Sequence, residues 1–392
     1  MRSLEDFARG TLSGIRTQGR MRQRRIVERW LGSEPIALVD GAQRLVFCSN
    51  DYLGLARDAR VSQAFAAAAR THGAGSGASH LITGHSREHH ALEEELAAFT
   101  GRARALLYST GYMANLGVIG ALAGREDRVF EDRLNHASLI DAALLSRAEL
   151  VRYPHAQPAA VDAKLAAVGR GHALIATDGV FSMDGDLAPV AELAAIAQRR
   201  EAWLMVDDAH GLGVLGDRGR GTLERADLDA ASVPILMGTL GKAFGTCGAF
   251  VAGGSDLIEL LLQTSRTQIY TTALPPALAA ATRTALAIVA GADEERARLR
   301  AHIELFRREV TRLGLALLPS ESPIQPIVFG SSERATAASD ALWKRGLWVS
   351  AIRPPTVPDG TARLRVTLAA NHSTQHVLRL IEALADLARA PQ

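Results

Sequence analysis

From residue 104 onward, short apolar runs alternate with longer amphipathic stretches, and few folds accept that order. Ala105-Leu106-Leu107-Tyr108, Asp127-Arg128-Val129-Phe130, Ala173-Leu174-Ile175-Ala176-Thr177, Ala202-Trp203-Leu204-Met205-Val206 and Ile235-Leu236-Met237 read as strands, with helices over 111–122 and 190–200. A strand that is apolar along its whole length has to be covered on both faces, and helical crossovers do that. The expectation is an α/β fold, a mostly parallel sheet covered by helices. Reactive groups in such a sheet gather in the loops beyond the strand C-termini.

Three of those loops carry chemistry. Thr177-Asp178-Gly179-Val180-Phe181-Ser182-Met183-Asp184-Gly185-Asp186 follows one strand, Asp207-Asp208-Ala209-His210-Gly211 the next, and Gly238-Thr239-Leu240-Gly241-Lys242-Ala243-Phe244-Gly245 a third. Lysine is normally hydrated and exposed. One framed by glycines, which let the backbone approach closely, reads as a covalent anchor for a cofactor aldehyde. The phosphate-cradling P-loop competes for the same residues and fails on spacing, because Leu236 and Ala243 stand where it needs Gly and Ser or Thr. Gly211-Leu212-Gly213-Val214-Leu215-Gly216 spells a dinucleotide fingerprint, but Asp207-Asp208-Ala209-His210 separates it from the strand and no helix start follows. His85-Ser86-Arg87-Glu88-His89 matches an inverted zinc-peptidase pattern where an amphipathic helix opens, with Leu92, Leu96 and Phe99 as its apolar stripe. That motif is short enough to arise by chance, and no metal is expected.

The remaining groups meet the demands of pyridoxal 5'-phosphate (PLP). Lys242 supplies the amine, and Asp207 the carboxylate that keeps the ring nitrogen protonated. His210 and Ser182 are placed for the phenolic oxygen, while Gly111, Tyr112 and Asn115 at a helix start, with Thr239, suit the phosphate. His136, in the upstream run Asn135-His136-Ala137-Ser138, is available to stack on the ring.

Around this centre the chain divides into a helical arm and hairpin (1–45), a large α/β domain (46–285) and a small C-terminal α+β domain (286–392). A helix-rich arm is expected to about residue 31, then a hairpin turning at Asp40-Gly41, a helix over 61–70 and a glycine-rich loop over 73–79. The tail reads as strands over 324–329, 348–350 and 363–368 among helices. The 392 residues are 47% hydrophobic with a net charge of +2 from interspersed acids and bases, which excludes nucleic acid and membrane as the main partner. The two cysteines lack any ligand spacing and the first residues carry acids where a signal peptide needs an apolar block. A cytoplasmic protein is expected.

Asn50-Asp51-Tyr52-Leu53-Gly54-Leu55, Gly179-Val180-Phe181-Ser182-Met183-Asp184-Gly185, Asp207-Asp208-Ala209-His210-Gly211 and Thr239-Leu240-Gly241-Lys242 resemble, in order and over nearly the whole chain, the α-oxoamine synthase family of fold-type I PLP enzymes. The resemblance implies a PLP-dependent transferase, working as a homodimer with its sites at the subunit interface. The run Arg353-Pro354-Pro355-Thr356-Val357-Pro358-Asp359-Gly360-Thr361-Ala362-Arg363-Leu364-Arg365 is most similar to the biotin-pathway branch. That branch condenses L-alanine with a pimeloyl thioester, carried on coenzyme A or acyl carrier protein, with loss of carbon dioxide. By the same resemblance Arg365 and Asn50 receive the amino-acid carboxylate, Thr356 and Arg22 contact the acyl donor with Arg24 as the alternative register, and His136 reaches the acyl carbonyl. Asp178 stands where some members of that branch have Glu. Sibling synthases using glycine or serine, and a catalytically silent subunit of the same fold, are the competing readings.

Overall fold

The computed structural model describes residues 3–18, 20–166 and 170–389. Its centre is a seven-stranded sheet in the order Arg104–Tyr108, Ala249–Gly253, Ile235–Thr239, Trp203–Asp207, Ala173–Asp178, Arg128–Asp132, Glu149–Tyr153. Ala249–Gly253 pairs antiparallel with both neighbours, and the other pairings are parallel. The mostly parallel α/β sheet expected from the apolar runs is therefore present, with two strands the runs did not reveal. Ala249–Gly253 is hidden between glycines, and Glu149–Tyr153 is a half-exposed edge strand whose Glu149 and Arg152 break the apolar pattern.

Side chains alternate between two cores, as the strand period requires. Leu174, Ala176 and Met205 face Val118, Ile119, Leu139, Ile258 and Leu261 of the helices on one side. Ile175, Leu204 and Val206 face Val161, Leu193 and Ile196 on the other. With both faces covered, the open ends of the strands are the place left for a ligand.

The amino-terminal arm departs from expectation. Its helix spans Leu4–Thr17, and Val27–Trp30 is a strand instead, paired antiparallel with Ile36–Val39. The arginines between Arg20 and Arg29 leave no apolar stripe to continue a helix, whereas an edge strand needs none. Ile36–Val39 and Ala42–Val46 form the hairpin, and Leu347–Trp348 from the tail joins it in parallel. Ile324–Gly330, Ala362–Thr367 and Ser350–Ile352 make a third, antiparallel sheet. Residue 286 falls inside the helix Pro276–Ala290, so the boundary expected there crosses a continuous element, and the hairpin shares its sheet with the tail.

The glycines around Lys242 do different jobs. Gly245 has φ +67°, and a Cβ there would collide with the backbone of Leu55 and Ala56. At Gly238 a Cβ would run into Leu212 and Phe250. Gly241 has its nearest would-be neighbour at 3.7 Å, so packing within the chain does not demand a glycine there. Gly245→Ala should cost ~1–3 kcal/mol, and Gly241→Ala less than ~0.5 kcal/mol. Denaturant midpoints of the two variants check this, and equal losses would contradict it.

Candidate active site

Parallel register sets the site. Asp178 is the Cα partner of Asp207, and Asp207 of Met237, the residue immediately before the Gly238–Gly245 loop. The acidic strand ends and Lys242 are thus brought to one edge. The loop is closed by Leu240 N–H to Gly248 O at 2.9 Å and Thr246 N–H to Leu240 O at 2.9 Å, while the Thr239 hydroxyl donates to Gly248 O at 3.1 Å. Lys242 makes no hydrogen bond or ion pair among the described residues. Burial brings its ammonium down to about 8, against the pull of Asp207 and Asp178.

Asp207 is buried and held from two sides. Its Oδ2 accepts from Asn115 Nδ2 at 2.8 Å and its Oδ1 from Ala209 N–H at 3.1 Å. Asn115 also donates to Ser138 Oγ at 2.8 Å. The structure therefore corrects the role expected for Asn115: it is fully buried and orients Asp207 instead of facing the helix start with Gly111 and Tyr112. Burial and the adjacent Asp207 push Asp178 well above the carboxylate range, opposed by the His136 N–H at 2.8 Å. Asp208 is structural: it accepts Thr222 N–H at 2.7 Å, and Gly179, Gly211 and Gly221 crowd it so closely that a Cβ at any of them would collide. This wrapping explains the decoy fingerprint, whose Gly213 and Gly216 lie in turns at φ +84° and +78° with no helix behind them until Thr222.

His210 is buried beside Lys242, and burial followed by the Lys242 and Arg365 charges keeps it far below the usual histidine range. Its Nδ1 lies 2.6 Å from the Tyr52 hydroxyl, which is 3.3 Å from Asn50 Oδ1. The Tyr52 hydroxyl donates to Asn50 Oδ1 and holds the His210 ring through Nδ1, which leaves Nε2 as the ring nitrogen without a protein partner among the described residues. Asn50 Oδ1 in turn accepts Arg365 Nη1 at 3.2 Å and Nη2 at 3.3 Å, and Arg365 Nε donates to Ser182 O at 2.6 Å. One connected network thus ties Tyr52, His210, Asn50, Arg365 and Ser182 together. Neither Tyr52 nor His155 has a role readable from the sequence; His155 bridges Asp132 at 3.0 Å and Asp186 at 2.7 Å. Burial disfavours the His155 charge, but those two carboxylates outweigh it and raise the group to about 10, so it stays protonated and pins the loop that carries Ser182.

His136 caps the helix Ala137–Ser146, with Nδ1 accepting from Ser138 N–H at 3.3 Å and lying 2.7 Å from Ser138 Oγ. Thr110 caps the helix Gly111–Leu122, leaving Gly111 and Tyr112 at an open N-terminus; the Tyr112 hydroxyl donates to Asp141. Beyond His136 and Ser182 opens a cavity of about 740 Å³, reached by Thr356, Pro354, Pro355, Arg20 and Arg133. Arg20, not Arg22 or Arg24, is the arm arginine on its wall.

A half-buried amine with no hydrogen bond among the described residues, an oriented carboxylate, a buried histidine with one ring nitrogen free and an open helix N-terminus are the groups PLP needs, and they converge. The profile of the family Aminotransferase class I and II matches residues 42–384. The chain belongs to that family. Among its relatives, the 8-amino-7-oxononanoate synthase of Methylococcus capsulatus is 58% identical over 375 residues, 96% of each chain, which places this family member in the 8-amino-7-oxononanoate synthase group. A solved structure of serine palmitoyltransferase with PLP superposes on this aminotransferase-family chain with a TM-score of 0.94 at 30% identity over 99% of both. An 8-amino-7-oxononanoate synthase from Francisella tularensis does so at 0.78 and 32% identity, covering 88% of this chain and 98% of its own.

Only the neutral amine condenses with an aldehyde, so the depressed Lys242 has a direct consequence. In the cofactor-free protein, the rate of PLP uptake should rise with pH and reach half its maximum near about 8. Stopped-flow absorbance over a pH series measures it; a midpoint near the ordinary lysine value of 10.5 would contradict the burial argument.

Proposed function

We propose that the chain is a PLP-dependent 8-amino-7-oxononanoate synthase, condensing L-alanine with a pimeloyl thioester of coenzyme A or acyl carrier protein. The product named for the relatives supports this choice of reactants. A nine-carbon chain with a terminal methyl, an amine next to it, a ketone and a distal carboxylate is alanine less its carboxylate joined to a seven-carbon diacid acyl group. Carbon dioxide and the thiol leave.

The observation that carries this reading over a serine-plus-fatty-acyl sibling is the lining of the 740 Å³ cavity. Arg20 and Arg133 lie on its wall, and neither guanidinium has a partner among the described residues. Against an alkyl tail these cations would be desolvated for nothing, whereas a carboxylate at the far end of the acyl chain pairs with them bidentately.

Lys242, Asp207, His210, Ser182, Thr239, Gly111, Tyr112 and His136 are the residues that would hold PLP. When bound, PLP supplies an electron sink for the carbon bearing the substrate amine. The residues of the chain do the rest. Lys242, whose ammonium loses its proton far more easily than an ordinary lysine's, takes the Cα proton, and Arg365, already aimed by Asn50 and Ser182, receives the amino-acid carboxylate. Burial lowers His136, and Ser138 occupies its Nδ1, so the neutral ring presents Nε2–H to the acyl carbonyl oxygen. Thr356 and Arg20 bracket the donor. The reading includes a homodimer acting in the cytoplasm: Ile82, Tyr270 and Leu145 are 74%, 72% and 70% exposed, surfaces a second copy would cover. No described helix is long and apolar enough to cross a membrane.

Mass analysis after incubation with L-alanine and pimeloyl-CoA should show 8-amino-7-oxononanoate, with L-serine and palmitoyl-CoA at least ~100-fold slower in kcat/KM. The opposite preference would overturn the assignment. Lys242→Ala should abolish turnover; retained activity would remove the lysine from the mechanism. Arg133→Ala should raise the KM of the pimeloyl donor ~10–100-fold while leaving that of alanine within about threefold, and equal effects on both would argue against carboxylate reading.

A further inference from the structure

We propose that His85, His90 and Glu93 bind one divalent transition-metal cation of the zinc class, in the cleft between the helix Arg87–Thr100 and the edge strand Arg104–Tyr108. The sequence reading expected no metal, and the inverted zinc-peptidase pattern itself does not make one. Both nitrogens of His89 are engaged, Nδ1 accepting Ser86 N–H at 3.0 Å and Nε2–H donating to Leu274 O at 2.6 Å. Glu88 is paired with Arg283 at 2.7 Å. What remains is a different set, built from the first histidine of the motif and two residues beyond it.

Helical spacing puts His90 and Glu93 on one face, three residues apart, and His85 stands just before the helix and leans over that face. One donor atom from each of the three lies within 4.8 Å of the other two. The closest measured approach is His85 Nε2 to Glu93 Oε2 at 4.0 Å. For bonds of ~2.0–2.2 Å in a tetrahedron the donors must sit ~3.3–3.6 Å apart, a closure that rotation of the exposed His85 and His90 rings supplies.

The partners behind these donors are those a metal site needs. Glu93 Oε1 accepts Leu107 N–H at 2.9 Å, which fixes the carboxylate with Oε2 turned to His85. His80 Nδ1 lies 3.0 Å from His85 Nδ1, so a His85 that binds the metal through Nε2 has an acceptor ready for its Nδ1–H. Two imidazole nitrogens and one carboxylate oxygen form a donor set that suits zinc, nickel or copper and not magnesium or calcium. Glu94, 3.4 Å from His90, or water fills the fourth position, and the set opens on a cavity of about 520 Å³. Burial supports the geometry, drawing His85 below the ordinary histidine range and pushing Glu93 up to about 7, so that a cation takes the place of a proton.

The test uses the holoenzyme after dialysis against a chelator. Isothermal titration with Zn²⁺ should show one equivalent per chain, and Co²⁺ should give the visible band of a tetrahedral nitrogen and oxygen site. His85→Ala and His90→Ala should each weaken Zn²⁺ ~10–100-fold, as should Glu93→Gln, with circular dichroism checking the fold; His376→Ala, distant in the tail, should change nothing. A wild-type protein that binds no Zn²⁺, or a His85→Ala/His90→Ala double variant with unchanged affinity and stoichiometry, overturns the proposal.

Discussion

An amine held inside the protein against two carboxylates is the interaction on which the rest of the site depends. Parallel register places Asp178 and Asp207 side by side, and neither could sit there ionised without compensation. The structure divides the task. Asp178 is driven toward its protonated form, Asp207 is held by Asn115 and Ala209, and Lys242 supplies the opposing charge. Because the amine is desolvated, its own proton becomes easy to lose, and one buried group can serve first as anchor and then as base.

A second layer ties distant parts of the chain to that centre. Arg365, on a strand of the tail, reaches Asn50 near the amino terminus and Ser182 in the large sheet's loop. Arg363, two residues earlier and so on the same face of that strand, donates to Asp184 at 2.7 Å. His155 clamps the same loop from the other side through Asp186. The Arg365 guanidinium is therefore part of the joint between the tail and the sheet, and under the proposed function an amino-acid carboxylate bound to it would tighten that joint.

The α/β class was legible because fully buried strands are apolar along their whole length, and the gathering of Lys242, Asp207, His210 and Ser182 at one sheet edge was legible because each lies at or shortly after the end of such a strand. What escaped depends on contacts between remote segments. Tyr52 meets His210 across 158 residues, and nothing local to either one announces it. Asn115 was assigned by position on a helix start, yet helix rotation turns it inward to Asp207. The arm arginine was uncertain in register because an irregular segment has no period to count by, and the geometry selects Arg20. Of the two missed strands, Ala249–Gly253 carries a short apolar run set among glycines and Glu149–Tyr153 is broken by charge, while the amino-terminal helix stops at Thr17, where Gln18-Gly19 is the kind of stop signal that ends a helix.

The most direct measurement asks which amine carries the cofactor. The chain has only three lysines, Lys164, Lys242 and Lys344. Reduction of the holoenzyme with borohydride fixes PLP to its lysine, and peptide mass mapping then locates it. The added mass should fall on the peptide containing Lys242 and nowhere else; finding it on Lys164 or Lys344, or on none of the three, would contradict the role of the buried amine.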